Sequence, residues 1–352
     1  MTTIELLQKA SQSDASDLFI VAGLPLTCKI NGSLQSLSGE RLMPADTERI
    51  IRDIYDLADG RDFSHFLKNG DDDFSFSVMG LSRFRVSTYR QRGSCAAVVR
   101  VISFTLPKAR ELGIPDSLMR LADISKGLVL VTGPAGSGKS TTLACMVDHI
   151  NQTRSSHIIT LEDPLEFLHR HSKSIVSQRE INTDTESYLV ALRAALRQSP
   201  DVILLGEMRD FETIQTAMTA AETGHFILSS LHTIGAANTI DRIIDVFPPN
   251  QQRQIVIQLS MVLQAVVSQQ LVPSTDGRLI PAFEIMTLTP AFRNLIRDNK
   301  VHQIDGMIYS SAKEDMISMD NYLLKLWRAG QITKDTALRY CTNAELLGKK
   351  LL

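Results

Sequence analysis

The stretch Gly133-Pro134-Ala135-Gly136-Ser137-Gly138-Lys139-Ser140-Thr141 carries the chemistry most readily read from this chain. It follows the apolar run Gly127-Leu128-Val129-Leu130-Val131 and precedes the helical pattern Thr142-Leu143-Ala144-Cys145-Met146-Val147. Strand, glycine loop and helix form the setting in which a G-x-x-x-x-G-K-[ST] spacing binds phosphate. The glycines let backbone N–H groups converge on one anion, and the helix adds the partial positive charge of its N-terminus. Lys139 brings a full charge to the outer phosphates, and the Ser140 hydroxyl can hold Mg²⁺. The nucleotide expected is ATP.

Phosphate binding alone does not hydrolyse a nucleotide; a carboxylate must stand near Mg²⁺ and the attacking water. Asp201-Val202-Ile203-Leu204-Leu205-Gly206-Glu207 offers one: an apolar strand followed by an acid at the end where the glycine loop also lies. Position 206 is glycine, whereas many P-loop enzymes place the metal-binding aspartate there. Either Glu207 serves metal and water together, or a second acid shares the work. Ile158-Ile159-Thr160-Leu161-Glu162-Asp163-Pro164 supplies such an acid in Glu162, which by itself also reads as a helix-capping or surface carboxylate.

A third strand, Phe226–Leu231, is bracketed by His225 and His232. Histidines beside apolar strands commonly serve the fold. His232, however, sits at the phosphate-facing end, where an imidazole can hydrogen-bond a γ-phosphate. The histidine spacing lacks the further ligands of a zinc site.

These groups need a parallel sheet to hold them. Leu128–Val131, Ile158–Leu161, Val202–Leu205 and Phe226–Leu231 are apolar strands separated by helical stretches, the rhythm of an α/β fold. Ahead of them, Asp17–Val21, Thr27–Ile30, Leu34–Leu37, Asp73–Val78, Arg83–Tyr89 and Ala96–Ile102 read as strands of an antiparallel sheet, with Asn31-Gly32 as a hairpin turn and Pro44–Asp56 as a helix. Phe104 to Pro115 breaks the pattern. The expected organisation is an N-terminal α+β domain over 1–105, a linker over 106–115 and an ATPase domain over 116–352. From about Gln251 the spacing reads as helix, apart from a strand at Leu279–Glu284.

The 352 residues carry a net charge of −2, with 43% hydrophobic and 22% charged residues. No basic field is available for nucleic acid, which weighs against a DNA or RNA translocase. Cys28, Cys95, Cys145 and Cys341 are widely spaced, as expected of reduced thiols in a cytosolic protein. The start lacks the pattern of a signal peptide, and no apolar run approaches the roughly 18 residues of a membrane span. The expectation is a cytoplasmic protein that reaches a membrane only through partners.

The blocks Gly133–Thr141, Thr160–Phe167, Val202–Asp210 and Thr223–Thr233 resemble, in order, the Walker A, Asp box, Walker B and His box of the type II/IV secretion ATPase superfamily. Within it, Gly206-Glu207-Met208-Arg209-Asp210, Thr219–His225, Asp241–Pro248 and Ala291-Phe292-Arg293-Asn294-Leu295-Ile296-Arg297-Asp298 are similar to the type IV pilus retraction ATPases. Read without the family, the last segment is an amphipathic helix with Arg293 and Arg297 one turn apart. The resemblance implies a PAS-like N-terminal domain, a RecA-like P-loop core with C-terminal helices, and a homo-hexamer that acts on a pilus inner-membrane platform protein. It also implies trans-acting arginines on N-terminal strands, with a spacing that favours Arg85 and Arg100. Arg83, Arg85 and Arg100 lie on such strands, and Arg83 and Arg85 share one face because side chains alternate along a strand. The other reading of these arginines is surface charge on a half-buried sheet. Arg193 and Arg197 stand one helical turn apart and align on one helix face, and with Arg209 they resemble further arginines that link nucleotide state to subunit contacts. A secretion or conjugation ATPase of the same superfamily, or an accessory retraction ATPase, is the alternative.

Overall fold

Ile50, Ile51 and Ile54 recur at helical spacing after Pro44, and a helix runs Pro44–Leu57 with all three buried. Asp46 accepts from the backbone N–H of Met43 at 2.8 Å and closes the helix start. The structure is a computed structural model and describes residues 2–13, 15–30, 33–102, 106–311 and 315–351. By contacts the chain divides into two units, Met1–Thr105 with Glu166–Leu168, and Leu106–Leu165 with His169–Leu352.

Among the described residues the first unit holds six strands: β1 (Asp17–Ile20), β2 (Pro25–Ile30), β3 (Ser33–Arg41), β4 (Asp71–Val78), β5 (Ser82–Gln91) and β6 (Ser94–Ile102). They lie in the order β3-β2-β1-β6-β5-β4, every pairing antiparallel. Helices Thr3–Gln12, Pro44–Leu57 and Phe63–Asn69 accompany the sheet. Leu7, Ile51, Tyr55, Phe66, Phe84 and Val99 form its core. The hairpin residues Asn31 and Gly32 lie outside the described residues. The helix Phe63–Asn69 is too short to show a period in the sequence, although Asp62 caps it and Gly70 ends it at φ 88°.

In the second unit, the described residues include β7 (Gly127–Thr132), β8 (His157–Glu162), β9 (Ile175–Glu180), β10 (Val202–Leu205), β11 (Phe226–Leu231), β12 (Leu263–Pro273) and β13 (Leu279–Thr287). The order is β13-β12-β7-β11-β10-β8-β9. All neighbours run parallel except β12 and β13. Leu128 and Leu130 of β7 enter one core, with Met218 and Leu259, while Val129 and Val131 enter another, with Val147 and Ile150. Both faces of the sheet are therefore covered, which is why its central strands read as unbroken apolar runs.

Two expectations change. Leu263–Pro273 is a strand and not a helix. Its Ala265-Val266-Val267 core is apolar on both faces, so period two is erased, and pairing with β7 and β13 overrides the local helical spacing. Of the segment read as a linker, 106–115 belongs to the second unit: Ile114 is buried there, with Ala109 and Leu112 packed against the same core. Phe104 and Thr105 lie outside the described residues. The described cysteines are free thiols, and burial pushes those of Cys28 and Cys145 up to about 11.

Candidate active site

Strand β7 ends at Thr132, and the glycine loop turns directly into the helix Lys139–Thr153. Gly133 (φ 144°) and Gly138 (φ 86°) adopt conformations that side chains resist. Space forbids side chains as well: a Cβ on Gly133 would meet the Gln269 carbonyl oxygen at 2.1 Å, and one on Gly138 the Gln269 Nε2 at 2.9 Å. Gln269 is a buried residue of β12 that lies against the loop, and its Oε1 accepts from Thr142 Oγ1 at 2.8 Å. Reading 263–273 as helix hid this support. The β-branched pair Val266-Val267 was the available signal, since burial on both faces leaves no alternation to read.

Lys139 is buried, and its Nζ donates to the carbonyls of Gly133 at 3.0 Å and Pro134 at 2.9 Å. The ammonium thus lies across the mouth of the loop. Pro134, Ala135, Gly136 and Ser140 are exposed, and Thr141 is half-buried. Ser137 is buried, and its Oγ has no hydrogen-bond partner among the described residues. That unanswered hydroxyl, the ammonium and the first-turn N–H groups of the helix all suit an anion at the loop. Mg²⁺ takes oxygen ligands, usually one or two protein groups besides phosphates and waters. The Ser140 hydroxyl and the Glu207 carboxylate are donors of that kind.

Sheet order arranges the other groups. The register pairs Thr132 with Leu231, Leu205 with Ser229, and Leu205 with Leu161. Along the C-terminal edge the chain therefore presents the glycine loop, then His232, then Glu207, then Glu162. Neighbouring strands are about 4.8 Å apart, so this row spans about 14 Å, with Glu207 one strand nearer the phosphate loop than Glu162. Glu207 Oε2 lies 2.7 Å from Arg209 Nε and 3.4 Å from His232 Nε2. Glu162 Oε1 accepts from the buried Thr160 Oγ1 at 2.6 Å, which fixes its direction. Gly206 is pinned on both sides: its N–H donates to the Leu161 carbonyl at 2.8 Å, and its carbonyl accepts from Ser230 Oγ at 2.6 Å.

The remaining sequence candidates sort by position. His225 lies at the opposite end of β11 from the loop, its Nδ1 3.0 Å from the Ala220 carbonyl, a structural contact. Arg193 and Arg197 do not project as a pair from one helix. The helix ends at Ala195, and Arg197 turns back to the Arg193 carbonyl at 2.9 Å. Arg293 Nη1 donates to the carbonyls of Ser260 and Met261 at 2.6 and 2.8 Å, closing the helix Pro249–Val262, while Arg297 bonds Asn294. In the first unit, Arg85 of β5 stands directly opposite Arg100 of β6, and Arg100 opposite Asp17 of β1. Arg100 Nε meets Asp17 Oδ1 at 3.0 Å. Directly opposed residues share a face, so Arg83, Arg85 and Arg100 lie together on one side of that sheet.

Beside the loop lies a cavity of about 660 Å³, lined by Gly138, Thr141, Thr142, Gln269, Pro281 and Tyr322 among others. Its walls come from five separate stretches of chain, so no local pattern in the sequence announces it.

A parallel sheet with its phosphate loop on β7 and an acid two strands away on β10 defines a RecA-like P-loop ATPase. The chain belongs to the type II/IV secretion system protein family, whose model matches residues 3–316. It is 44% identical to the "Type IV pilus retractation ATPase PilT" of Pseudomonas aeruginosa over 96% of this chain and 97% of that protein. It is 39% identical to the "Type IV pilus ATPase PilU" of the same organism, over 97% and 88%. A crystal structure of the pilus retraction motor PilT with bound ADP superposes with a TM-score of 0.89, at 44% identity and 99% coverage of both chains. Among the described residues no helix is long and apolar enough to cross a membrane.

Proposed function

We propose that this chain is a homo-hexameric motor that hydrolyses MgATP to drive retraction of type IV pili. It works at the cytoplasmic face of the inner membrane against the pilus platform protein. The observation that carries this reading is the end-to-end likeness, at 44% identity, to a relative named for pilus retraction.

The site's layout supports a division of labour. Lys139 and the amides of 133–141 grip the β- and γ-phosphates, and the cavity beside the loop takes the base. Ser140 and Glu207 would hold Mg²⁺, which would supply positive charge to the phosphates. Glu207, the nearer acid, orders a water for attack on the γ-phosphorus and accepts its proton as the bond to the bridging oxygen of ADP breaks. Glu162 holds the outer side of the water network, with Thr160 fixing its carboxylate. His232 lies between the loop and Glu207, where it can sense the γ-phosphate. Arg85 and Arg100 of a neighbouring subunit stabilise the charge that builds in the transition state. Residues 1–105 act as the N-terminal domain and the rest as the motor domain, and hydrolysis changes the relation of the two.

Deleting the gene and counting surface pili tests the assignment. Cells should become hyperpiliated and stop twitching, and Lys139→Ala should fail to restore them. Normal twitching together with a loss of protein or DNA export would move the chain to a secretion or conjugation machine.

A further inference from the structure

Gly206 immediately precedes Glu207, at the position where many P-loop enzymes carry an acid. A Cβ built there would lie 2.8 Å from the Tyr188 Oη and 3.4 Å from both the Glu162 Cα and the Leu161 carbonyl oxygen. The space that a side chain at 206 needs is therefore taken by a phenol from another element. Tyr188 opens the helix Tyr188–Ala195, whose start is fixed by the bond from the Val190 N–H to Ser187 Oγ. Its ring packs against the core beneath the sheet edge. Its hydroxyl has no hydrogen-bond partner among the described residues, yet it stands between the ends of β8 and β10, the two strands that deliver Glu162 and Glu207.

We propose that Tyr188 is a positioning residue of the hydrolytic site, its hydroxyl donating a hydrogen bond into the water and carboxylate network between Glu162 and Glu207. The hydroxyl stands where an acid at 206 would stand, but as a neutral donor instead of a third carboxylate. Burial and the negative charges of Glu207, Asp163 and Glu162 push the phenol well above its ordinary range, so it keeps its proton at every working pH. A donor in that place orients carboxylate lone pairs and the attacking water without taking a proton itself.

The inference rests on ATP hydrolysis at this site. Tyr188→Phe keeps the ring and its packing and removes only the oxygen. Its kcat should fall about tenfold, the size of one lost bond to a charged group, with KM for ATP and the thermal midpoint unchanged. Gly206→Ala should lower kcat similarly by displacing the hydroxyl. In the double variant the two losses should not add, because the Cβ then has no oxygen to displace. Wild-type kcat in either single variant, additive losses, or a rise in KM with a falling thermal midpoint would overturn the proposal. Unmodified protein assayed alongside separates the two readings: if it releases no phosphate from ATP, the hydrolytic assignment fails. If it turns over normally and Tyr188→Phe matches it, only the role of Tyr188 fails.

Discussion

Arg209 Nε lies 2.7 Å from Glu207 Oε2, and the arginine is the outer partner, with 74% of its side chain exposed against 16% for the acid. Glu207 is thus paired with a group that solvent can take over. An exposed partner of this kind contributes about 1 kcal/mol or less, so Arg209 can release Glu207 to a metal or a water at small cost. Arg209→Ala should shift the thermal midpoint of the nucleotide-free protein by no more than about 4 °C. A larger fall by calorimetry would mean that the pair holds the fold together.

The glycine loop rests on β12. Gln269→Ala removes the acceptor of Thr142 Oγ1 and opens space beside Gly138, while the carbonyl against Gly133 stays in place. It should cost about 1–2 kcal/mol of stability and weaken nucleotide binding severalfold, as measured by titration with a fluorescent ATP analogue. Unchanged affinity would contradict the support assigned to this strand. Gly138→Ala combines an unfavourable φ with the 2.9 Å approach to Gln269, and should lower affinity further.

Arg85 and Arg100 are opposed like charges, offset in part by Asp17. Such an arrangement costs a fraction of a kcal/mol unless an anion answers it, about 0.2–1 kcal/mol. If they act on a neighbour's nucleotide, Arg85→Ala and Glu207→Gln proteins should each be nearly inactive, yet mixing them should restore part of the phosphate release. Some boundaries in mixed rings then pair an intact Arg85 with an intact Glu207. No recovery on mixing would place Arg85 outside the site.

His169 should shape stability against pH. It is buried, its Nδ1 has no partner among the described residues, and burial lowers its pKa to about 4. The unfolded chain, near 6.5, then binds the extra proton between pH 6.5 and about 4. The resulting stability is present above the unfolded value and is lost as pH falls through the folded one, about 3 kcal/mol in all. Denaturant midpoints should fall across that window, and His169→Leu should flatten the fall. An identical slope in the variant would show that His169 is not responsible.

Much of the site was legible because its chemistry is local. The glycine loop, Glu162, Glu207 and His232 each follow an apolar run, and parallel strands bring such ends to one edge. What sequence reading missed came from other elements. Gln269 sits on a strand buried on both faces, which erases period two. Tyr188 reaches Gly206 from a helix start, so the glycine at 206 reads as a departure until the phenol above it is seen. Alternation along β5 placed Arg83 and Arg85 on one face, but only the β5–β6 register sets Arg100 beside them. Arg197 was aligned with Arg193 on a helix that ends two residues earlier, at Ala195.

Steady-state phosphate release by Glu207→Gln, measured with ATP affinity on the same protein, tests the central claim most directly. Gln keeps the size of the side chain and removes its charge and its capacity to take a proton. Binding should stay within a few-fold of the unmodified protein, while turnover falls by about 10²–10⁴, the range of a lost general base. Turnover at the original rate would remove Glu207 from the chemistry and contradict the hydrolytic site described above.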